Sequence, residues 1–165
     1  MHKHRTVLLV DDDESLRESL DKIIERGGHT CFVAENGLQA LNMLRKREMH
    51  AIIADHDMPG MDGVELLKLV ATRYPHVARI LMTGRRDAEP AVRAVNVAQA
   101  WRFLAKPCRA GDLLTALHFA FEASDHELEV RRLSSELRRA QALLAEVRLR
   151  CPELMEEIDS RRPAA

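Results

Sequence analysis

Cysteine is scarce in this sequence, and what there is does not pair. Cys31, Cys108 and Cys151 are odd in number, far apart and free of any Cys-x-x-Cys spacing. That argues against a disulfide framework and a thiolate zinc site, and suits a reducing compartment. Long apolar runs are missing too. The first, Thr6–Val10, ends on three aspartates. It is too short for a signal peptide, and no stretch reaches membrane length, so a cytoplasmic protein with no membrane partner is expected. A strong charge of either sign is also absent. The formal net charge is −1, which gives no global reason to bind nucleic acid or an anionic surface. Aromatics make up only 4% of the 165 residues while apolar residues make up 46%, so the core must be built from Leu, Val, Ile and Ala. A chain of this length suits one domain with an appendage.

What is present is alternation. Thr6–Val10 (TVLLV) reads as a buried strand. A helix follows from Asp13-Glu14-Ser15, with Leu16, Leu20, Ile23 and Ile24 at helical spacing and Gly27-Gly28 at its end. His29–Ala34 and Ala51–Ala54 read as strands two and three, with an amphipathic helix from Gly37 to Arg47 between them. A third helix carries Val64, Leu66, Leu67, Leu69 and Val70 and closes near Tyr74-Pro75. Arg79–Met82 reads as strand four, a fourth helix is expected from Pro90 to about Ala98, and Trp101–Ala105 reads as strand five. A fifth helix opens at Gly111 and reaches Phe121. Strand and helix alternating in this way specify an α/β fold, a parallel sheet with helices on both faces. In such open sheets the site lies beyond the carboxyl ends of the strands, where strand order reverses.

Those ends carry the chemistry. Strand one runs into Asp11-Asp12, strand three into Asp55, strand four into Thr83-Gly84, and strand five into Lys106-Pro107. Clustered carboxylates repel unless a cation joins them. Mg²⁺ suits such a set, because it takes oxygen ligands and is held by one or two carboxylates beside a phosphate. A carboxylate can also act as nucleophile and form an aspartyl phosphate. Lys106 would then balance charge on the transferred group, Thr83 could donate its hydroxyl, and Gly84 leaves room.

The segments "VLLVDDDESLR", "IIADHDMPGMDGVELL", "ILMTG" and "RFLAKPC" resemble the receiver domain of bacterial two-component response regulators. The resemblance covers roughly Thr6 to Ala123. It implies a CheY-like, flavodoxin-like doubly wound fold, five parallel strands in the order 2-1-3-4-5. It makes Asp55 the phosphoacceptor and a metal ligand, Asp12 a direct Mg²⁺ ligand, Asp11 a ligand through water and Asp57 a ligand through its backbone carbonyl. Thr83 and Lys106 would bind the phosphoryl group, and Phe103 matches the aromatic that rotates inward with the threonine. The donor would be a phosphohistidine on a sensor histidine kinase. The chain would catalyse only its own phosphorylation and dephosphorylation. His56 is expected at the surface, and Cys108 is expected to be structural or inert. A second reading is a haloacid-dehalogenase-type phosphatase, since Asp55-His56-Asp57 has that family's Asp-x-Asp spacing. The sequence departs from it at Met58-Pro59-Gly60, where that family has Thr or Val, and its acidic pair lies upstream at Asp11-Asp12 instead of downstream of the lysine.

The expected domains are a receiver over residues 5–123 and a helical tail over 124–165. The tail is rich in Glu, Arg, Leu and Ala and has no glycine. Val130, Leu133, Leu137, Ala140, Leu144, Val147 and Cys151 alternate steps of three and four, a heptad seam. Pro152 should break it before a short helical piece over Glu153–Ile158. The seam suggests a homodimer through a parallel helical pair, with a fold-back onto the chain's own domain as the alternative. Glutamates interleave Arg131-Arg132 and Arg138-Arg139, so direct nucleic-acid binding is not expected. Such a tail is too short for the output modules that follow many receivers. The chain is expected to be either a stand-alone receiver working through protein contacts or a fragment of a larger regulator. "AVNVAQAWRFLAKPC" is similar to receivers that precede cyclic-dinucleotide phosphodiesterases or hydrogenase-type transcription regulators.

Overall fold

The computed structural model describes residues 4–84 and 100–150. The helix expected from Pro90 to Ala98, the seam residue Cys151, and the break and short helix beyond it lie outside the described residues. Five strands are seen: β1 (Thr6–Val10), β2 (Thr30–Ala34), β3 (Ala51–Asp55), β4 (Ala78–Gly84) and β5 (Arg102–Lys106). The described helices are α1 (Glu14–Arg26), α2 (Gly37–Lys46), α3 (Gly63–Arg73) and α4 (Ala110–Arg150). All strand pairs are parallel and the order is β2-β1-β3-β4-β5.

Local signals set the boundaries. Asp13, Asn36 and Asp62 cap α1, α2 and α3, each accepting the backbone N–H three residues on. Gln39 Oε1 also accepts the N–H of Glu35, the residue before the cap, at 2.7 Å, which ties the incoming chain to the first turn of α2. Gly28, at φ 84°, turns the chain out of α1. Tyr74 ends α3 because the residue before Pro75 disfavours helical backbone.

Alternate residues of each central strand serve opposite faces. Val7 and Leu9 of β1 pack with Leu20 and Ile24 of α1 and Leu113 and Leu117 of α4. Leu8 and Val10 pack with Leu44 of α2 and Leu66, Leu67 and Val70 of α3. All five residues of β3 are buried, as a strand covered on both faces must be. The root of α4 is pinned below the sheet: Ser124 Oγ donates to the His76 carbonyl at 2.6 Å, and Asp125 pairs with the buried Arg5.

By its internal contacts the chain divides into two compact units, Met1–Glu127 and Leu128–Ala165. No helix among the described residues is long and apolar enough to cross a membrane.

Candidate phosphoacceptor site

β1 is flanked by β2 on one side and β3 on the other, so the strand order reverses between β1 and β3. Beyond that point a cleft opens. Register brings the working residues to one level: Val10 pairs with Ala54, Asp55 with Met82, Thr83 with Ala105, and Gly84 with Lys106. Thr83 and Gly84 belong to β4 itself, which runs further than the expected Arg79–Met82, because β5 continues the ladder beside them. Lys106 likewise closes β5 and Asp55 closes β3.

Carboxylate oxygens of Asp11, Asp12 and Asp55 all lie within 4.8 Å of one another. Asp11 and Asp55 are buried, and Asp12 is exposed at the rim. Lys106 Nζ stands between the two buried acids, 2.9 Å from Asp11 Oδ2 and 2.8 Å from Asp55 Oδ1. Burial opposes the Lys106 charge, but its bonds to Asp55 and Asp11 outweigh that and hold its pKa above the usual value. Burial pushes the Asp55 carboxyl up; the Lys106 bond works the other way, and the charges of Asp11 and Asp57 add to the rise. One ammonium serves two carboxylates, and Asp12 adds a third to the group. The acids therefore carry negative charge that Lys106 does not fully balance. An all-oxygen set with surplus negative charge is the donor chemistry that fits Mg²⁺.

The surroundings hold this set rigid. Asp11 Oδ1 accepts the Asp13 N–H at 2.9 Å, and Arg17 Nη1 donates to the Asp11 carbonyl at 2.5 Å. The Gly63 N–H bonds the His56 carbonyl at 3.1 Å, which folds the start of α3 back onto the end of β3. Among the described residues the Thr83 hydroxyl makes only a long contact, 3.4 Å, to the Gly84 carbonyl. Phe103 is half-buried and packs against the same core face as Leu81 and Val64. The Asp57 side chain is 70% exposed and is not one of the grouped carboxylates, so its backbone carbonyl is the ligand candidate there. A 780 Å³ cleft beside Asp12, lined also by Glu35, Leu38 and Met61, opens the site to solvent.

His56 differs from its expected surface position, with only 15% of its side chain exposed. Its N–H bonds the Met82 carbonyl at 2.8 Å and extends the β3–β4 ladder, so the side chain stays against the sheet. Cys108 is poorly ionised, since burial and Asp112 raise its thiol pKa. Arg17 and Gly63 carry the site's geometry and were not singled out from the sequence. Arg17 had a signal: with Leu20 and Ile24 it falls on the buried stripe of α1.

Comparison with known proteins agrees with this geometry. The family model described as response regulator receiver domain matches residues 7–118. The response regulator protein FleR of Pseudomonas aeruginosa is 42% identical over 108 residues, 66% of this chain and 23% of its own length. The hydrogenase transcriptional regulatory protein HoxA of Cupriavidus necator is 31% identical over 142 residues, 86% of this chain and 29% of its own. The chain thus spans about a quarter of the length of these curated relatives. Among solved structures, the signal receiver domain of an HD domain-containing protein from Pseudomonas fluorescens is 33% identical with a TM-score of 0.72, covering 75% of this chain and 99% of that one. A CheY-like receiver domain protein from Methanospirillum hungatei is 26% identical with a TM-score of 0.71, covering 76% and 99%. Strand order, acidic cluster and family match agree, and the chain belongs to the response regulator receiver domain family.

Proposed function

We propose that this receiver takes a phosphoryl group onto Asp55 from a phosphohistidine of a sensor histidine kinase, with Mg²⁺ bound by Asp11, Asp12, Asp55 and the Asp57 carbonyl. Asp12 would ligate the ion directly and Asp11 through water. The observation that carries this reading is Lys106 Nζ lying between Asp11 Oδ2 and Asp55 Oδ1 at 2.9 and 2.8 Å. A carboxylate oxygen of Asp55 forms the new P–O bond as the donor's P–N bond breaks. The electron pair of that bond goes to the imidazole, which takes up a proton. The bound ion would spread the charge of the phosphoryl oxygens. Lys106 is already in reach of one Asp55 oxygen and can turn to a phosphoryl oxygen without leaving the site. The Thr83 hydroxyl gives up little when it turns to the phosphoryl group, because its present contact is long. Phe103 can follow it inward. The chain acts on no separate substrate: it is modified, and it catalyses only its own phosphorylation and dephosphorylation. The signal leaves through a changed protein surface in the cytoplasm and through self-association of the tail, residues 124–165, as a homodimer.

Acetyl phosphate with Mg²⁺ should add one phosphoryl group to the protein, read by intact mass. Asp55→Asn should add none, and chelation of the metal should abolish the addition. Equal labelling of Asp55→Asn would remove Asp55 from the role. Steady turnover of a phosphomonoester would favour the phosphatase reading instead.

A further inference from the structure

The tail helix carries an apolar seam with no partner among the described residues. Leu133, Leu137 and Leu144 are 52%, 59% and 55% exposed, and Val130 is exposed beside them. In heptad terms Val130, Leu137 and Leu144 are a positions, and Leu133, Ala140 and Val147 are d positions. Glu129, Glu136, Leu143 and Arg150 are then g positions, and Ser134, Gln141 and Arg148 are e positions.

A parallel, in-register pair sets each seam residue against its own copy. Ala140 would face the partner's Ala140, which leaves a thin layer in the middle of a short seam. Its flanks would be set by g positions meeting e positions five residues on. Those pairs are Glu129 with the partner's Ser134, Glu136 with the partner's Gln141, and Leu143 with the partner's Arg148, so none is an ion pair. An antiparallel pair sets a against d. Val130 then meets the partner's Val147, Leu133 meets the partner's Leu144, and Leu137 meets the partner's Ala140. The large residue fills the space the small one leaves. Along one flank g meets g, and Glu129 faces the partner's Arg150, twice by symmetry. Both are exposed, and each pairs at present with a neighbour on its own helix: Arg132 at 3.9 Å for Glu129, and Glu146 at 2.9 Å for Arg150. Exposed pairs of that kind exchange readily. Arg131, Arg132, Arg138 and Arg139 fall at b and c, outside the seam in either orientation.

We propose that the occupant of this seam is a second copy of the same helix running antiparallel, with the Leu137–Ala140 layer and the Glu129–Arg150 pairs setting register and direction. The inference rests on self-association of the tail and reverses the parallel arrangement that heptad spacing alone suggested. The test is charge exchange in the full chain, read by sedimentation. Glu129→Arg and Arg150→Glu should each weaken self-association, on the order of ten-fold, because two favourable pairs become like-charged. Mixed together, the two variants should form a heterodimer tighter than either homodimer, since positions 129 and 150 then bring opposite charges together in both symmetry-related pairs. The double variant should return to the wild-type constant. Association without this rescue would overturn the antiparallel arrangement and leave self-association standing. A full chain that stays monomeric at every concentration would overturn both.

Discussion

At the residue scale, Asp55 is the most informative group. Its acidity is set by burial first, then partly restored by Lys106, and burial prevails. A carboxyl whose folded pKa lies above its unfolded value contributes stability that is fully present below the unfolded pKa and lost as pH rises through the folded one. At neutral pH the ionised Asp55 therefore costs stability. Asp55→Asn should melt higher than the wild type at pH 7 without Mg²⁺, and the gap should close as pH falls toward 4. Mg²⁺ should reverse the ranking, because an ion at ten times its Kd adds about 1.4 kcal/mol to the form that binds it. Melting curves from pH 4 to 8 with and without Mg²⁺ measure both effects. A variant that is never the more stable would mean Lys106 fully balances the charge. Asp11, Asp12, Asp55 and Lys106 were legible in the sequence because each sits at the end of an apolar run, so the strand ends themselves point to them. Arg17 and the burial of His56 were not legible in the same way. Arg17 works through a backbone carbonyl that no side-chain pattern marks, and His56 is drawn in by a ladder bond that continues one residue past the strand.

Gly63 acts at the scale of whole elements. It opens α3 directly against the end of β3, and a Cβ there would collide with the Asp55 carbonyl oxygen and lie 2.9 Å from Leu81 Cδ1. Backbone cannot move aside cheaply, so Gly63→Ala must push α3 away from the end of β3. Overpacking of this kind costs roughly 1–3 kcal/mol. The variant should melt lower and accept phosphate from acetyl phosphate several-fold more slowly. Gly37→Ala is the matched control. Its Cβ would meet Met61 Sδ at 2.6 Å, the far end of a flexible side chain that can turn away. It should stay within about 0.5 kcal/mol of the wild type. Equal losses in the two variants would show that helix starts in general, and not contact with Asp55, set the effect. The alternation of strands and helices was readable from periodicity, and α4 runs unbroken past Ser124 as the lack of Gly and Pro suggested. The extent of β4 was not readable. Thr83 and Gly84 look like loop residues in isolation, and only pairing with Ala105 and Lys106 makes them strand. Gly63 was hidden for a related reason: a glycine after Met-Asp reads as a turn, while its function is a close approach seen only in three dimensions.

At the scale of the whole molecule, the question is where the receiver stops. Composition shifts after Phe121, which set the expected boundary at residues 123 and 124. The contacts of the compact unit continue to Glu127. The reason is chemical: Asp125 is the carboxylate partner of Arg5, whose guanidinium is buried beneath the sheet and stacks toward Phe121 at 5.9 Å. Composition could not reveal this, because Asp125 sits in a run of charged residues that reads as solvated helix surface. Two truncations separate the boundaries. A stop after Glu127 keeps the Arg5–Asp125 pair and the Ser124–His76 bond, so the shortened receiver should melt close to the wild type and accept phosphate at the same rate, while losing self-association with the seam. A stop after Ser124 removes Asp125 and leaves a buried cation without its carboxylate. Breaking a buried pair costs about 3–5 kcal/mol, and the half-exposed carboxylate puts this one lower, at about 2 kcal/mol. For a domain of this size that is a drop of roughly 5–10 °C in Tm. Restoring two further residues, in a stop after His126, should recover most of it. If the protein stopped after Ser124 melts with the longer one, Arg5 is satisfied elsewhere and the receiver ends where the composition changes.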